Sequence, residues 1–265
     1  MNTRSKTLVR TKTLFHTILV DRSGSMYSMG GAHKKQLRDY IKQLQEAANT
    51  SGNTILITVA TNDDKWDTWV DTKNVLDVKL PTDEELTLWA NPRGMTRMYD
   101  AILYYINKKN ESLKQYKKNL PAMVRELDTP VECWMYIITD GCDNKSTHTA
   151  SDVKQVMEAE RKAGLGTIFL AANQGDAQDL AASLGMNRDT ALTIGADRFT
   201  SEIAMGYANN MTRQISSNDG TGSLPPPPSF SLLQRSASAP QEAITNTDLS
   251  DHQILMPPPH TLRRC

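Results

Sequence analysis

Short apolar, β-branched runs alternate along this chain with longer stretches whose apolar residues recur every three or four positions. The runs at 14–20, 54–60, 131–139 and 167–172 have the length and composition of strands covered on both faces of a parallel sheet. A weaker run follows at 191–194. Between the runs, Leu37, Tyr40, Ile41, Leu44 and Ala48 predict a helix over about 32–49, closed near Gly52. Met98, Ala101, Ile102 and Tyr105 mark a second helix. Val153, Val156 and Met157 mark a third over 149–163, stopped by Gly164. Ala177, Leu180, Ala181 and Leu184 follow a capping Asp176, and Ile203, Tyr207 and Met211 lie on a last helix over about 200–215. Thr82 and Glu85 have capping-box spacing ahead of Leu86 and Trp89. Residues 65–70 and 74–80 read as a strand and its continuation around a turn at 71–74, with Trp66 and Trp69 capping the sheet edge.

Strands alternating with helices predict an α/β domain: a doubly wound, mostly parallel sheet flanked by helices on both faces. The pattern spans 13–215. Residues 1–12 are basic and read as a solvated lead-in. From 216 most of the twelve prolines gather and apolar periodicity stops, which predicts a disordered Pro/Ser-rich tail over 216–265.

Composition narrows the function classes. Thirty basic residues balance thirty acidic ones, so no net field points to nucleic acid or to a membrane surface. The lysines 108, 109, 114, 117 and 118 read as a solvated helix face. No run approaches the ~20 apolar residues of a membrane span. Cys133, Cys142 and Cys265 are too few and too scattered for a disulfide framework, which suits a cytoplasmic location.

The chemistry gathers where strands end. The run 14–20 stops at Asp21, and Ser23 and Ser25 follow at two-residue spacing around Gly24. Thr96 sits in a loop punctuated by Pro92 and Gly94, and Asp140 ends the run 131–139. In open α/β sheets ligands bind at such carboxyl ends, where strand order reverses. A set of carboxylates and hydroxyls is hard and suits Mg2+ or Mn2+.

The stretches DRSGSM at 21–26, PRGMTRMYDA at 92–101 and IITDGCDN at 137–144 together resemble the von Willebrand factor A-type domain and its metal-ion-dependent adhesion site. The resemblance, closest to intracellular or microbial members with a similar AANQ stretch at 171–174, covers about 13–215. It implies metal binding through the hydroxyls of Ser23, Ser25 and Thr96, with Asp21 and Asp140 acting through water and hydrogen bonds. A first shell rich in neutral hydroxyls leaves cation charge over for an external carboxylate. The expected partner is therefore a protein presenting Asp or Glu to the metal. The resemblance to integrin-type members also implies coupling to a shift of the last helix.

Arg22 and Arg93 lie beside the motifs and would either assist an anionic ligand or repel the cation, while Cys142 reads as incidental. Two other classes remain: a metal-independent scaffold, and a phosphoryl-transfer enzyme built on Asp21. The second lacks an acid two residues on, a nucleophile elbow and a P-loop, so a non-enzymatic module is the stronger reading. His16 reads as a core residue and His148 as solvated. In the tail, the proline run at 224–228 suits a polyproline-binding module. RSASAP at 235–240 suits a 14-3-3-type protein if Ser238 is phosphorylated in a eukaryotic setting.

Overall fold

The computed structural model describes residues 11–121, 130–140, 143–172, 176–195, 198–217 and 228–239. Six strands, β1 (Thr13–Asp21), β2 (Thr54–Asn62), β3 (Trp66–Asn74), β4 (Val131–Thr139), β5 (Leu165–Ala172) and β6 (Ala191–Ile194), form one sheet in the order β3-β2-β1-β4-β5-β6. All neighbours are parallel except β2 and β3. The helices are α1 (Ala32–Ser51), α2 (Asp83–Ala90), α3 (Met98–Asn119), α4 (Ala150–Lys162), α5 (Ala177–Ser183), α6 (Arg198–Ser217) and α7 (Leu232–Ser238).

Both faces of the sheet are covered, which explains the unbroken apolar runs. Alternate residues of β1 serve opposite cores. Leu14, Ile18 and Val20 join Leu37, Ile41 and Leu44 of α1 and Ala204 and Ala208 of α6. Phe15 and Leu19 join Ala101, Ile102 and Tyr105 of α3 and Val153 and Met157 of α4. The helix ends follow their expected signals. Gly52 closes α1 in the left-handed conformation, with φ 71°. Thr82 and Glu85 complete a reciprocal capping box on α2, and Thr149 and Asp152 do the same for α4. Such a cap is worth about 1 kcal/mol. Asp176 caps α5 by accepting from the Gln178 amide.

Several expectations need correction. Residues 66–74 form one strand with no turn at 71–74, and a single 3-10 turn, Val75–Asp77, follows where a continuation was expected. Pairing with β2 through two register irregularities keeps the strand extended at the sheet edge. Lys109 is not solvated: it is buried against Glu160 of α4 at 2.5 Å. Lys12, placed in the lead-in, is also buried and donates to Glu132 and to the Ile215 carbonyl. The disordered tail begins too early, because α6 runs on to Ser217 and residues 228–239 dock on the domain, with Phe230 and Ser238 buried. Cys142, Cys265, residues 173–174 of the AANQ stretch and residues 224–227 of the proline run lie outside the described residues. Among those described, no helix is long and apolar enough to cross a membrane, and Cys133 is a buried free thiol.

As expected, Trp69 packs at the β3 edge, stacked on Trp89 with ring centroids 5.5 Å apart. His16 is a core residue. It lies between Tyr40, whose hydroxyl is 3.2 Å from Nδ1, and Ser216 of α6. Burial, aided by the nearby Lys12 charge, lowers its pKa from 6.5 to about 3. The unfolded chain therefore takes up a proton on this ring below pH 6.5 while the folded chain does not until about pH 3. We expect stability to fall as pH drops through that interval. His16→Gln should remove up to about 1.4 kcal/mol per pH unit from the slope, read by chemical denaturation at stepped pH.

Candidate metal centre

The chain passes from β1 outward to β2 and β3, then returns to the other side of β1 as β4. The crossover reverses between β1 and β4, so the carboxyl ends of these two strands border the crevice in which α/β sheets place their ligands. Asp21 is the last residue of β1 and Asp140 follows the last residue of β4.

Asp21 is buried, and both of its oxygens are engaged. Oδ1 accepts from the Ser23 amide at 2.7 Å and Oδ2 from the Thr139 hydroxyl at 2.8 Å. These bonds turn the chain back over the strand end. Ser23 is buried beneath the exposed Ser25, and their Oγ atoms lie 3.1 Å apart. Asp140 is buried too, and its Oδ1 has no hydrogen-bond partner among the described residues. Burial first, and the Asp140 charge second, raise the Asp21 pKa from 3.8 to about 7 against the pull of Ser23 and Thr139.

Backbone bonds bring the third loop in. The Gly24 amide donates to the Gly94 carbonyl at 3.1 Å, and the Arg93 amide to the Arg22 carbonyl at 2.7 Å. Gly94 has φ 67°, a conformation that glycine adopts without strain, and a Cβ there would stand 2.5 Å from Asp64 Oδ2 and displace that carboxylate. Thr96 is buried, and its carbonyl accepts from the amides of Asn144 and Lys145 while its own amide donates to Asn144 Oδ1. The loop after Asp140 also caps α3. Asp143 Oδ2 accepts from the Tyr99 amide and Ser146 Oγ from the Asp100 amide, replacing a cap that Arg97 does not supply. The five expected residues, Asp21, Ser23, Ser25, Thr96 and Asp140, thus lie on segments that direct hydrogen bonds join: Thr139 to Asp21, Gly24 to Gly94 and Asn144 to Thr96.

Sequence reasoning left the arginines open and missed their partners. Arg22 is fully buried, with Nε donating to Asp63 Oδ2 at 2.9 Å, one terminal nitrogen paired with Asp67 and the other donating to the Trp89 carbonyl. Arg93 Nε donates to the same Asp63 oxygen at 2.7 Å. Burial alone would raise the Asp63 carboxyl, but hydrogen bonds from Arg93, Lys65 and Arg22 hold it below its usual value. Two guanidinium charges are thereby matched by two carboxylates. Asp63 follows the end of β2 and Asp67 lies in β3, and only the parallel placement of β2 beside β1 brings them here. His148 is likewise not merely solvated: Nδ1 lies 2.7 Å from Asp100 Oδ1. Asp100 also accepts from Arg97 and the amides of Thr147 and His148, which outweigh burial and hold its carboxyl well below the usual range. That cluster staples the loop after β4 to α3.

The residues fit a small hard cation. Adjacent corners of a Mg2+ octahedron stand about 3.0 Å apart at metal–oxygen distances near 2.1 Å, which matches the two serine oxygens. An unpartnered buried carboxylate oxygen beside a second buried carboxylate is an excess of negative charge that a divalent ion would neutralise. Among the described residues no three acidic, imidazole or thiol groups form a metal cluster.

No protein-family model and no curated protein matches the sequence. Solved structures do. The PilB minor pilin from Streptococcus sanguinis aligns over 80% of this chain and 64% of its own, at 13% identity and TM-score 0.52. The proximal thread matrix protein 1 from the mussel byssus, with a zinc-occupied MIDAS motif, aligns over 78% and 46%, at 14% identity and TM-score 0.51. A von Willebrand factor type A protein from Catenulispora acidiphila aligns over 79% and 43%, at 13% identity and TM-score 0.40. This chain thus spans about half the length of the thread matrix protein. Strand order and the two likenesses with TM-score above 0.5 show the fold alone, the doubly wound α/β sheet flanked by helices that the resemblance to von Willebrand A-type domains implies.

Two outcomes are expected. Asp63→Ala should cost about 3 kcal/mol of unfolding free energy by leaving the Arg22 guanidinium buried beside Asp67 alone, measured by urea denaturation. In metal-stripped protein, Asp21 retains its proton to about pH 7 when folded but loses it near 3.8 when unfolded. Its contribution is therefore full below pH 3.8 and is lost as pH rises to about 7. Asp21→Asn should flatten that fall in melts recorded with EDTA.

Proposed function

We propose that this protein is a non-enzymatic interaction module that binds Mg2+ or Mn2+ at Asp21, Ser23, Ser25, Thr96 and Asp140 and uses it to hold an acidic group of a protein partner. The observation that carries the reading is the buried Asp21–Asp140 pair, with Asp140 Oδ1 lacking a hydrogen-bond partner among the described residues, together with the Ser23 and Ser25 hydroxyls at octahedral spacing. The ion, when bound, supplies a positive centre with coordination left for an outside oxygen. Ser23 and Ser25 offer neutral oxygens that would hold the cation without quenching its charge. Thr96 stands ready on a loop already tied to both of its neighbours. Asp63 and Asp67 neutralise Arg22 and Arg93 and so remove the repulsion that two bare guanidinium groups would exert on a cation.

The zinc in the mussel protein's MIDAS motif supports a divalent ion in this fold. The all-oxygen donors here favour Mg2+ or Mn2+ over zinc. Catalysis by Asp21 is disfavoured by its burial and by the engagement of both its oxygens. The cytoplasmic expectation rests on the cysteines alone, because similar folds occur in byssus and pilus proteins.

Titration calorimetry of EDTA-treated protein with MgCl2, MnCl2 and ZnCl2 tests this. Wild type should bind saturably, and Ser23→Ala/Ser25→Ala should lose at least about tenfold in affinity, about 1.4 kcal/mol. Identical behaviour of the two proteins would sink the metal reading and leave a metal-independent scaffold.

A further inference from the structure

The segment 228–239 plays no part in the metal centre, yet its docking is specific. Phe230 sits in the core shared with α1 and α6, and its amide donates to the Asp189 carbonyl at 2.8 Å. Arg235 reaches back over this contact. Nε donates to the Phe230 carbonyl at 3.0 Å, and the terminal nitrogens donate to the carbonyls of Ala191 and Asp189, both at 3.1 Å. The Ser238 carbonyl accepts from the Gly195 amide at 3.0 Å. The segment therefore covers the outer side of β6, the edge where the sheet would otherwise present open backbone.

The same stretch reads RSASAP in sequence, with Arg235 three residues before Ser238 and Pro240 two after. In the docked segment Ser238 is fully buried, and its Oγ donates to the Arg235 carbonyl at 3.1 Å. We propose that Ser238 is a phosphorylation site and that phosphorylation and docking exclude each other, so that modification turns an edge cover into an exposed phosphoserine ligand for a protein with a basic groove. In the transfer, Ser238 Oγ attacks the γ-phosphorus of ATP bound to a protein kinase. The Oγ–P bond forms, the bridging bond to the β-phosphate breaks, the hydroxyl proton passes to a base of the kinase, and ADP leaves.

Only the undocked segment offers its hydroxyl. Once attached, nearly two negative charges have no room where Oγ was buried against a carbonyl oxygen. They would also face the negative C-terminal end of α7. Redocking is blocked, and the sheet edge along β6 opens together with the Phe230 pocket.

The test uses the full chain, ATP and an arginine-directed serine kinase, with sites mapped by mass spectrometry. Wild type should be phosphorylated at Ser238, Phe230→Ala at least about tenfold faster because its anchor is lost, and Ser238→Ala not at that position. The phosphorylated chain should bind a 14-3-3 protein as the phosphoserine-reading probe and lose hydrogen-exchange protection at the Gly195 amide. Equal rates in wild type and Phe230→Ala, no phosphate on Ser238 in either, retained protection at Gly195, or no 14-3-3 binding would each overturn the proposal.

Discussion

A carboxylate at the buried end of a central strand has to be surrounded by donors, and this requirement arranges one whole edge of the protein. Asp21 ends β1, a strand with no exposed residue and with parallel neighbours on both sides. It is buried, and its oxygens take the Ser23 amide and the Thr139 hydroxyl. The first of these bonds bends the chain into the turn that lifts Ser25 to the surface. The second ties β1 to the end of β4, from which Asp140 continues. Burial and the Asp140 charge work against ionisation here, and a cation is the natural counterweight.

Around that centre the protein handles a second charge problem. Arg22 lies within the D-x-S-x-S stretch and is as deeply buried as its neighbours. A guanidinium in such a place is tolerable only with its donors engaged. Asp63, Asp67 and the Trp89 carbonyl provide this, while the guanidinium carbon lies over the Trp69 ring, 5.9 Å from its centroid. Arg93 shares Asp63, which links the loop carrying Thr96 to the end of β2. Positioning of the loops that carry Ser23, Ser25 and Thr96 and neutralisation of the arginines are therefore one network. Loops held this way are pre-organised, with less ordering left to occur when a ligand arrives.

The two lateral edges of the sheet are covered as well. β3 is antiparallel and is covered by packed aromatic rings. β6 is only four residues long and is closed by 228–239. A segment that shields an edge through one aromatic anchor and one arginine on backbone carbonyls is specific, yet small enough to open locally.

By itself the sequence determined the layered α/β architecture and the bounds of most strands and helices, and it singled out five oxygen-bearing positions in the loops around the ends of β1 and β4. These depend on local periodicity, on caps and on motif spacing, all of which are written within a few residues of one another. Tertiary structure decided the rest. The pairing of Arg22 with Asp63 and Asp67 spans more than forty residues and follows from strand order. The capture of His148 by Asp100 follows from the loop after β4 folding onto α3, and the burial of Lys109 from the packing of α3 on α4. Ser238 shows the difference most plainly. Composition around it predicts disorder, because proline and serine carry no periodic signal. One buried phenylalanine, one arginine on backbone carbonyls and two backbone bonds, to Asp189 and from Gly195, hold it in place, and these contacts depend on the surface it meets rather than on any period within the segment.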